Sequence, residues 1–274
     1  MQAPFTDVLV PLDGSPTAEL ALRPAFEVVR RTGVPLRLLT AALPGDEGTF
    51  DPYLSELASR YADVATVETA VVEADGAPDA IVGQMLPHTL VCMSSHGRSG
   101  VARAVLGSVA ETVLREVAEP ALIVGPGLRD DPLFEGRIVA CVDGSPESER
   151  TLGPAKQWSE VLGLPLWIMQ VGEPVEPADW ASGGDAHEGG HLAQLAARLG
   201  GVAGWDVLHG HDASRSLVDM ASSEVDRTAL LVMATHGRTG WDRLRLGSVT
   251  ASTVRAATVP VLVVPAAARP ATDG

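Results

Sequence analysis

The sequence predicts an α/β protein of two similar, doubly wound domains with five strands apiece. Three observations predict it: a length of 274 residues, a self-repeat at a near-constant spacing, and short apolar runs alternating with longer segments of helical period. A chain of this length exceeds one ordinary domain, and either half is long enough to close its own core. The repeat is direct. Asp7-Val-Leu-Val-Pro-Leu-Asp-Gly-Ser-Pro16 matches Arg137-Ile-Val-Ala-Cys-Val-Asp-Gly-Ser-Pro146 at an offset of 130, and Gly33-Val-Pro-Leu36 matches Gly163-Leu-Pro-Leu166 at the same offset. Met93-Ser-Ser-His-Gly-Arg-Ser-Gly100 then matches Met233-Ala-Thr-His-Gly-Arg-Thr-Gly240 at 140, followed by Gly107-Ser108 with Gly247-Ser248 and Pro120 with Pro260. The second copy therefore holds ten extra residues, and the Gly- and Pro-rich stretch from Gly172 to Gly190 is their expected place.

The elements follow in order. Unalternated apolar runs at Val8–Leu12, Leu36–Leu39, Val67–Val72, Leu90–Met93 and Ala121–Val124 suit strands buried on both faces. Ala18–Arg31 and Asp79–Met85 have helical spacing between them. Copy two repeats the runs at Ile138–Val142, Leu166–Met169, Leu230–Met233 and Val261–Val264. Strand–helix alternation implies right-handed crossovers and a parallel sheet. The expected domains are 1–127 and 137–268, joined by a linker at 128–136 whose Asp130 and Asp131 read as solvated.

Composition narrows the function. A formal net charge of −15 argues against sequence-independent binding to nucleic acid or to an anionic membrane surface. No run of 18 apolar residues is present and the first residues lack a signal-peptide pattern, so the expectation is a cytoplasmic protein. Cys92 and Cys141 each lie in an apolar run and read as buried core thiols.

In an open α/β sheet, ligands sit beyond the carboxyl ends of the strands, where the strand order reverses. Asp13-Gly14-Ser15 follows the first strand and Ser94-Ser95-His96-Gly97 the fourth; Asp143 and Ala234-Thr235-His236-Gly237 repeat them. Ser108 and Glu111 have capping-box spacing at the start of a helical segment, and a helix N-terminus attracts phosphate. Copy two has Ala251 in place of the glutamate. From His96 to Ser108 the arginines Arg98 and Arg103 stand with no acid, and from His236 to Ser248 Arg238, Arg243 and Arg245 stand against Asp242 alone. Each stretch is net +2 inside an acidic chain, which suits a focused anion site. There is no P-loop, no Gly-x-Gly-x-x-Gly and no Gly-x-Ser-x-Gly, and the chain's one lysine is Lys156. A polyphosphate here would rest on backbone N–H groups, hydroxyls and arginines, with no evident group to activate water. His96 and His236 read as loop-orienting residues, and Asp13 and Asp143 as helix caps, ligand contacts or both. His187 with His191 and His209 with His211 have metal-like spacing but no counterpart in copy one, so no metal site is assigned.

On these residues the chain, from Asp7 to Pro265, resembles the universal stress protein family in its tandem form. The family's ATP-binding pattern is Gly-x-x-Gly, nine residues, then Gly-[Ser/Thr]. Gly97 with Gly107-Ser108, and Gly237 with Gly247-Ser248, match it, while Ser94 and Ala234 stand at the first glycine. The resemblance implies five parallel strands of order 3-2-1-4-5 per domain and pairing of the two domains through their fifth strands as an intrachain pseudo-dimer. It implies ATP with Mg²⁺ as the ligand. Ribose and metal contacts fall on Asp13 and Asp143, and adenine contacts on Ala41 and Val171. Phosphate and ribose contacts fall on Met93, Gly97, Gly107, Ser108 and Val109, and in copy two on Met233, Gly237, Gly247, Ser248 and Val249. The loop residues Ser94, His96, Arg98 and Gly100, with Ala234, His236, Arg238 and Gly240, complete the expected cofactor-binding set. It further implies a stress-response regulator, a homodimer of whole chains through fifth-strand edges, and an unidentified protein partner. A nucleotide-free dimerising scaffold and a slow ATPase or nucleotidyl transferase stay open beside the regulator.

Overall fold

A computed structural model describes residues 3–43, 47–63, 65–97, 106–174, 185–201, 203–235 and 246–265. Repeat one comprises strands β1 (Asp7–Pro11), β2 (Leu36–Ala42), β3 (Val67–Glu73), β4 (Thr89–Ser94) and β5 (Ala121–Val124). Its helices are α1 (Pro16–Glu19), α2 (Leu22–Thr32), α3 (Glu47–Tyr61), α4 (Ala77–Gly83) and α5 (Ser108–Glu116). Repeat two comprises strands β6 (Arg137–Val142), β7 (Leu166–Gly172), β8 (Ala203–His209), β9 (Thr228–Ala234) and β10 (Val261–Val264). Its helices are α6 (Pro146–Glu149), α7 (Leu152–Leu162), α8 (Asp185–Arg198), α9 (Ala213–Ala221) and α10 (Ser248–Ala256).

All ten strands form one sheet in the order β3-β2-β1-β4-β5-β10-β9-β6-β7-β8. Each half has the expected 3-2-1-4-5 order and is parallel throughout. Among the described residues the one antiparallel pair joins β5 to β10, with Ile123 opposite Val261 and Ala121 opposite Val263. The four residues of each of these strands are buried, as their unbroken apolar character requires at the centre of a sheet. This pairing overturns one expectation. Whole chains cannot dimerise through fifth-strand edges, because each fifth strand already spends its free edge on the other. The edges left open belong to β3 and β8.

Helices cover both faces over two continuous cores. Alternate residues of each strand feed opposite faces, so Val8, Val10, Leu36 and Leu38 pack into one core and Leu9, Leu39, Val91 and Met93 into the other. Each core runs across the seam. On the first face Phe5 and Phe134 flank Trp158, with ring centroids 5.8 and 6.2 Å away. Cys92 and Cys141 are buried free thiols in these cores; burial raises both, that of Cys141 to about 12, so neither offers a thiolate.

The segment between the repeats departs from the solvated reading. Leu128, Leu133 and Phe134 are buried, and Asp131 pairs with both Arg129 and Arg227. Arg23 of α2 donates to the carbonyls of Arg129, Asp130 and Asp131, while the Arg129 guanidinium donates to the Thr228 carbonyl. The segment is thus a strap fastened to both repeats, with the Asp130 side chain projecting into solvent. The extra residues of repeat two are also divided. Leu36 and Leu166 stand 130 apart, Val67 and Ala203 136 apart, and Ser94 and Ala234 140 apart. Part of the insertion precedes β8 and the rest follows it, rather than all falling between Gly172 and Gly190.

Candidate functional site

The strand order reverses between β1 and β4, and again between β6 and β9, so the loops that leave those strands border one crevice in each repeat. The chain leaves β1 through Asp13-Gly14-Ser15. Gly14 has a φ of 79°, and Gly144 of the second repeat has 80°; that left-handed turn favours a residue with no Cβ. Beyond the turn Ser15 is the N-cap of α1, its hydroxyl accepting from the Ala18 N–H at 3.2 Å. Asp13 is therefore not the cap. Its Oδ1 accepts from the Ser15 N–H at 2.9 Å and from the Ser15 hydroxyl at 2.6 Å, which fixes the carboxylate at the crevice. Asp143 and Ser145 repeat this at 3.0 and 2.6 Å. Ser15 and Ser145 carry no weight as ligands in the sequence reading, although the repeated Asp-Gly-Ser-Pro was the signal for them.

The β4 loop meets β1 there. A Cβ placed on Gly97 would lie 2.5 Å from Asp13 Oδ2, so the glycine lets the loop backbone press against that carboxylate. Ser95 is fully buried, and its hydroxyl lies 2.9 Å from His96 Nδ1, so a side chain orients the imidazole. Ser94 and Ala234 end strands β4 and β9 without entering the left-handed region, so these positions do not require glycine. Met93 and Met233 are buried, and their side chains fill core space, which leaves their backbone for the crevice.

The opposite wall is the start of α5. Gly107 is the N-cap and Ser108 the first helical residue, so the expected capping box does not form: the side chain that was to close it sits one position too late. Gly107 has a φ of −58°, and its need for glycine is steric, not conformational. Its N–H donates to the Ser95 carbonyl at 2.8 Å, and a Cβ would also lie 2.8 Å from that oxygen. Gly247 caps α10 in the same way, its N–H donating to the Thr235 carbonyl at 2.7 Å. Among the described residues neither cap makes a side-chain hydrogen bond, and the first turns of both helices carry the positive end of the helix dipole. Ser108 and Ser248 are exposed at these openings; Val109 is half-buried and Val249 is 40% exposed. Ala41 and Val171 lie near the carboxyl ends of β2 and β7, half-buried. Arg98, Gly100, His236, Gly237, Arg238 and Gly240, with Arg103, Arg243 and Arg245, lie outside the described residues.

Beside Asp13, the Tyr53 hydroxyl of α3 donates to Glu19 at 3.1 Å. Burial, with Glu19 and Asp13 close by, pushes the phenol well above its ordinary range, so it stays protonated. In repeat two His191 and Arg198 of α8 take the corresponding glutamate, Glu149, at 3.1 and 2.6 Å. His191 thus lies against Glu149, and the His209 Nδ1 lies 2.9 Å from the Glu173 carbonyl; the His187 side chain lies outside the described set. Among the described residues no group of three or more His, Cys, Asp or Glu gathers to hold a metal, and no helix is long and apolar enough to cross a membrane.

Comparison with known proteins agrees with this architecture. A family model, the universal stress protein family, matches residues 4–125 and 136–265. A universal stress protein of Mycolicibacterium smegmatis is 29% identical over 190 residues, covering 64% of this chain and 61% of that protein's own length, so the match spans less than two thirds of it. Among solved structures, a functionally unknown protein from Pseudomonas aeruginosa shares the fold with a TM-score of 0.71 at 18% identity, over 95% of this chain and 92% of the other. A universal stress protein from Archaeoglobus fulgidus does so with a TM-score of 0.67 at 19% identity, over 96% and 97%.

Proposed function

Because the chain belongs to the universal stress protein family, we propose that each repeat holds one adenine nucleotide, as Mg-ATP, and that the protein is a cytoplasmic stress-response regulator without robust turnover. The observation that carries the reading is the twofold recurrence of one arrangement: an aspartate clamped by its own turn serine, opposite a helix whose N-terminus is capped by glycine alone. The residues suit the ligand. Open first-turn N–H groups of α5 and α10, with the exposed hydroxyls of Ser108 and Ser248, would receive the phosphates. Asp13 and Asp143 would face the ribose or the metal, and Ala41 and Val171 would meet the base with their backbone. Mg²⁺, arriving with the nucleotide, would neutralise part of the tail's charge.

Native mass spectrometry and calorimetric titration with ATP and AMP are expected to show two nucleotides per chain. Gly107→Val with Gly247→Val is expected to abolish binding, since each new side chain fills the helix opening and that at Gly107 also presses on the Ser95 carbonyl, at a stability cost of about 1–3 kcal/mol per site. Retention of neither nucleotide by the unaltered protein would overturn the proposal.

A further inference from the structure

A groove of about 230 Å³ lies away from the crevice, on the face of repeat one formed by the middle of β1, β2 and β3. Leu9, Leu39 and Ala70 form its apolar floor, Arg37 and Glu68 its polar wall, and Gln84, the C-cap of α4, its far side. None of these residues belongs to the nucleotide crevice.

The second repeat shows what such a space accepts. Strand pairing makes the two repeats comparable residue by residue: Leu9, Arg37 and Glu68 lie abreast across β1, β2 and β3, as Val139, Trp167 and Gly204 lie abreast across β6, β7 and β8. There Trp167 occupies the position of Arg37, and its indole lies flat against Gly204, where a Cβ would come within 2.8 Å of ring atom Cε2. The Arg137 guanidinium covers that indole at 4.6 Å from a ring centroid. Repeat two thus fills with its own indole the place that repeat one leaves open.

We infer that the groove of repeat one is a binding site for a planar, uncharged, indole-sized heteroaromatic ring bearing an N–H donor. Shape and charge both lead there. The floor residues Leu9 and Leu39 are each 1% exposed, so the base of the groove is packed core. Arg37 Nη1 is committed to Asp7 at 3.0 Å, and Glu68 stands 4.0 Å from its Nε. No cationic charge is left over to hold an anionic ligand, whereas the Glu68 carboxylate at the rim, its side chain 64% exposed, can accept from a ring N–H. The planar guanidinium of Arg37 offers a face on which a ring can stack.

The probe is indole itself, titrated into the full chain and followed by two-dimensional NMR of the Gln84 side-chain amide and the backbone amides of Arg37 and Ala70. One saturable site is expected, with a Kd on the order of 1 mM for so small a molecule. Ala70→Met, which fills the floor and leaves the Asp7–Arg37 pair intact, is expected to weaken binding at least tenfold. So is the transplant Asp7→Arg with Arg37→Trp and Glu68→Gly, which installs the set found in repeat two. Trp167→Ala is expected to create a second indole site. 1-Methylindole is expected to bind several-fold more weakly than indole; equal binding would overturn the assignment of Glu68 as acceptor. Absence of saturable shifts at these amides in the folded protein, or unchanged binding by Ala70→Met, would overturn the site. Neither result depends on whether nucleotide binds.

Discussion

At the crevice the two repeats agree closely, and at the opposite ends of the same strands they share only a register. The Asp13–Ser15 and Asp143–Ser145 hydroxyl contacts are both 2.6 Å, and α5 and α10 across the crevice both start at a glycine N-cap. At the amino ends of β1 and β6, by contrast, repeat one buries an ion pair and repeat two stacks a cation on a ring. Asp7, 3% exposed, accepts from Arg37, Thr89 and Thr6. Arg137, at the place of Asp7, covers Trp167 and meets the exposed Asp226 only at 3.7 Å. Repeat two closes the layer over the sheet with its indole, and repeat one leaves a groove beside its ion pair. Pairing register and the β5–β10 seam therefore specify the backbone, while the chemistry of this flank is free to diverge; the crevice is not.

The largest difference expected between the repeats follows from that flank. Asp7→Ala leaves a guanidinium that is only 16% exposed without its carboxylate, and the buried Thr89 hydroxyl without its acceptor. A loss of about 3–5 kcal/mol is expected. Arg137→Ala removes a stacked cation whose Nε has no hydrogen-bond partner, and a loss of about 1 kcal/mol is expected. Urea unfolding of the two variants checks the ranking, and equal losses would break the contrast.

A smaller effect tests whether the two crevices are equal in strength. Glu111 sits in the first turn of α5, where it already answers the helix dipole, whereas the first turn of α10 has no acid. Under the nucleotide proposal repeat two is the tighter phosphate site. Glu111→Ala is expected to strengthen binding in repeat one about two- to fivefold, and Ala251→Glu to weaken repeat two by a similar factor, from a dipole contribution of about 0.3–1 kcal/mol. Calorimetry on chains with one crevice closed by the Gly→Val change resolves the two sites; unequal sites that ignore both substitutions would dismiss the dipole as the cause.

Much of this was legible in the sequence because the same features occur twice. Five strands of repeat one and four of repeat two announce themselves as apolar runs, and Asp-Gly-Ser-Pro with the distant Gly-Ser marks the strand ends that meet. What escaped did so for local physical reasons. β8 carries Gly204, Trp205 and Asp206 at an open edge, where burial is partial, so its run is broken by polarity and offers no apolar signature. The strap reads as a polar linker because its arginines and acids look solvated until Arg23, Arg129 and Arg227 gather them. The capping box failed because its spacing is satisfied by residues that begin one position inside the helix, where Gly107 takes the cap to let the chain pass the Ser95 carbonyl. Spacing identifies partners only when the helix start is known.

The smallest expected difference lies on the first long helix of each repeat. On α2, Glu27 accepts from Arg30 at 2.7 and 3.0 Å and from Arg31 at 2.7 Å; α7 has Gln157 at the place of Glu27. The hydrogen bond from Arg30 chiefly, then that from Arg31, against an opposing effect of burial, hold the Glu27 carboxyl below its ordinary value of 4.5. A carboxyl lowered in the folded state stabilises above its unfolded value and loses that stabilisation as pH falls through the folded one. Repeat one therefore has an acid-sensitive element at a position where repeat two has a neutral side chain. Glu27→Gln is expected to cost under about 1 kcal/mol at pH 7, because the arginines are partly solvated, and to cost nothing once the pH is well below 4.5. Urea unfolding of both proteins across that range checks it: the two stability curves are to converge at the acid end, and a gap that stays constant with pH would mean that Glu27 contributes by packing and not by charge.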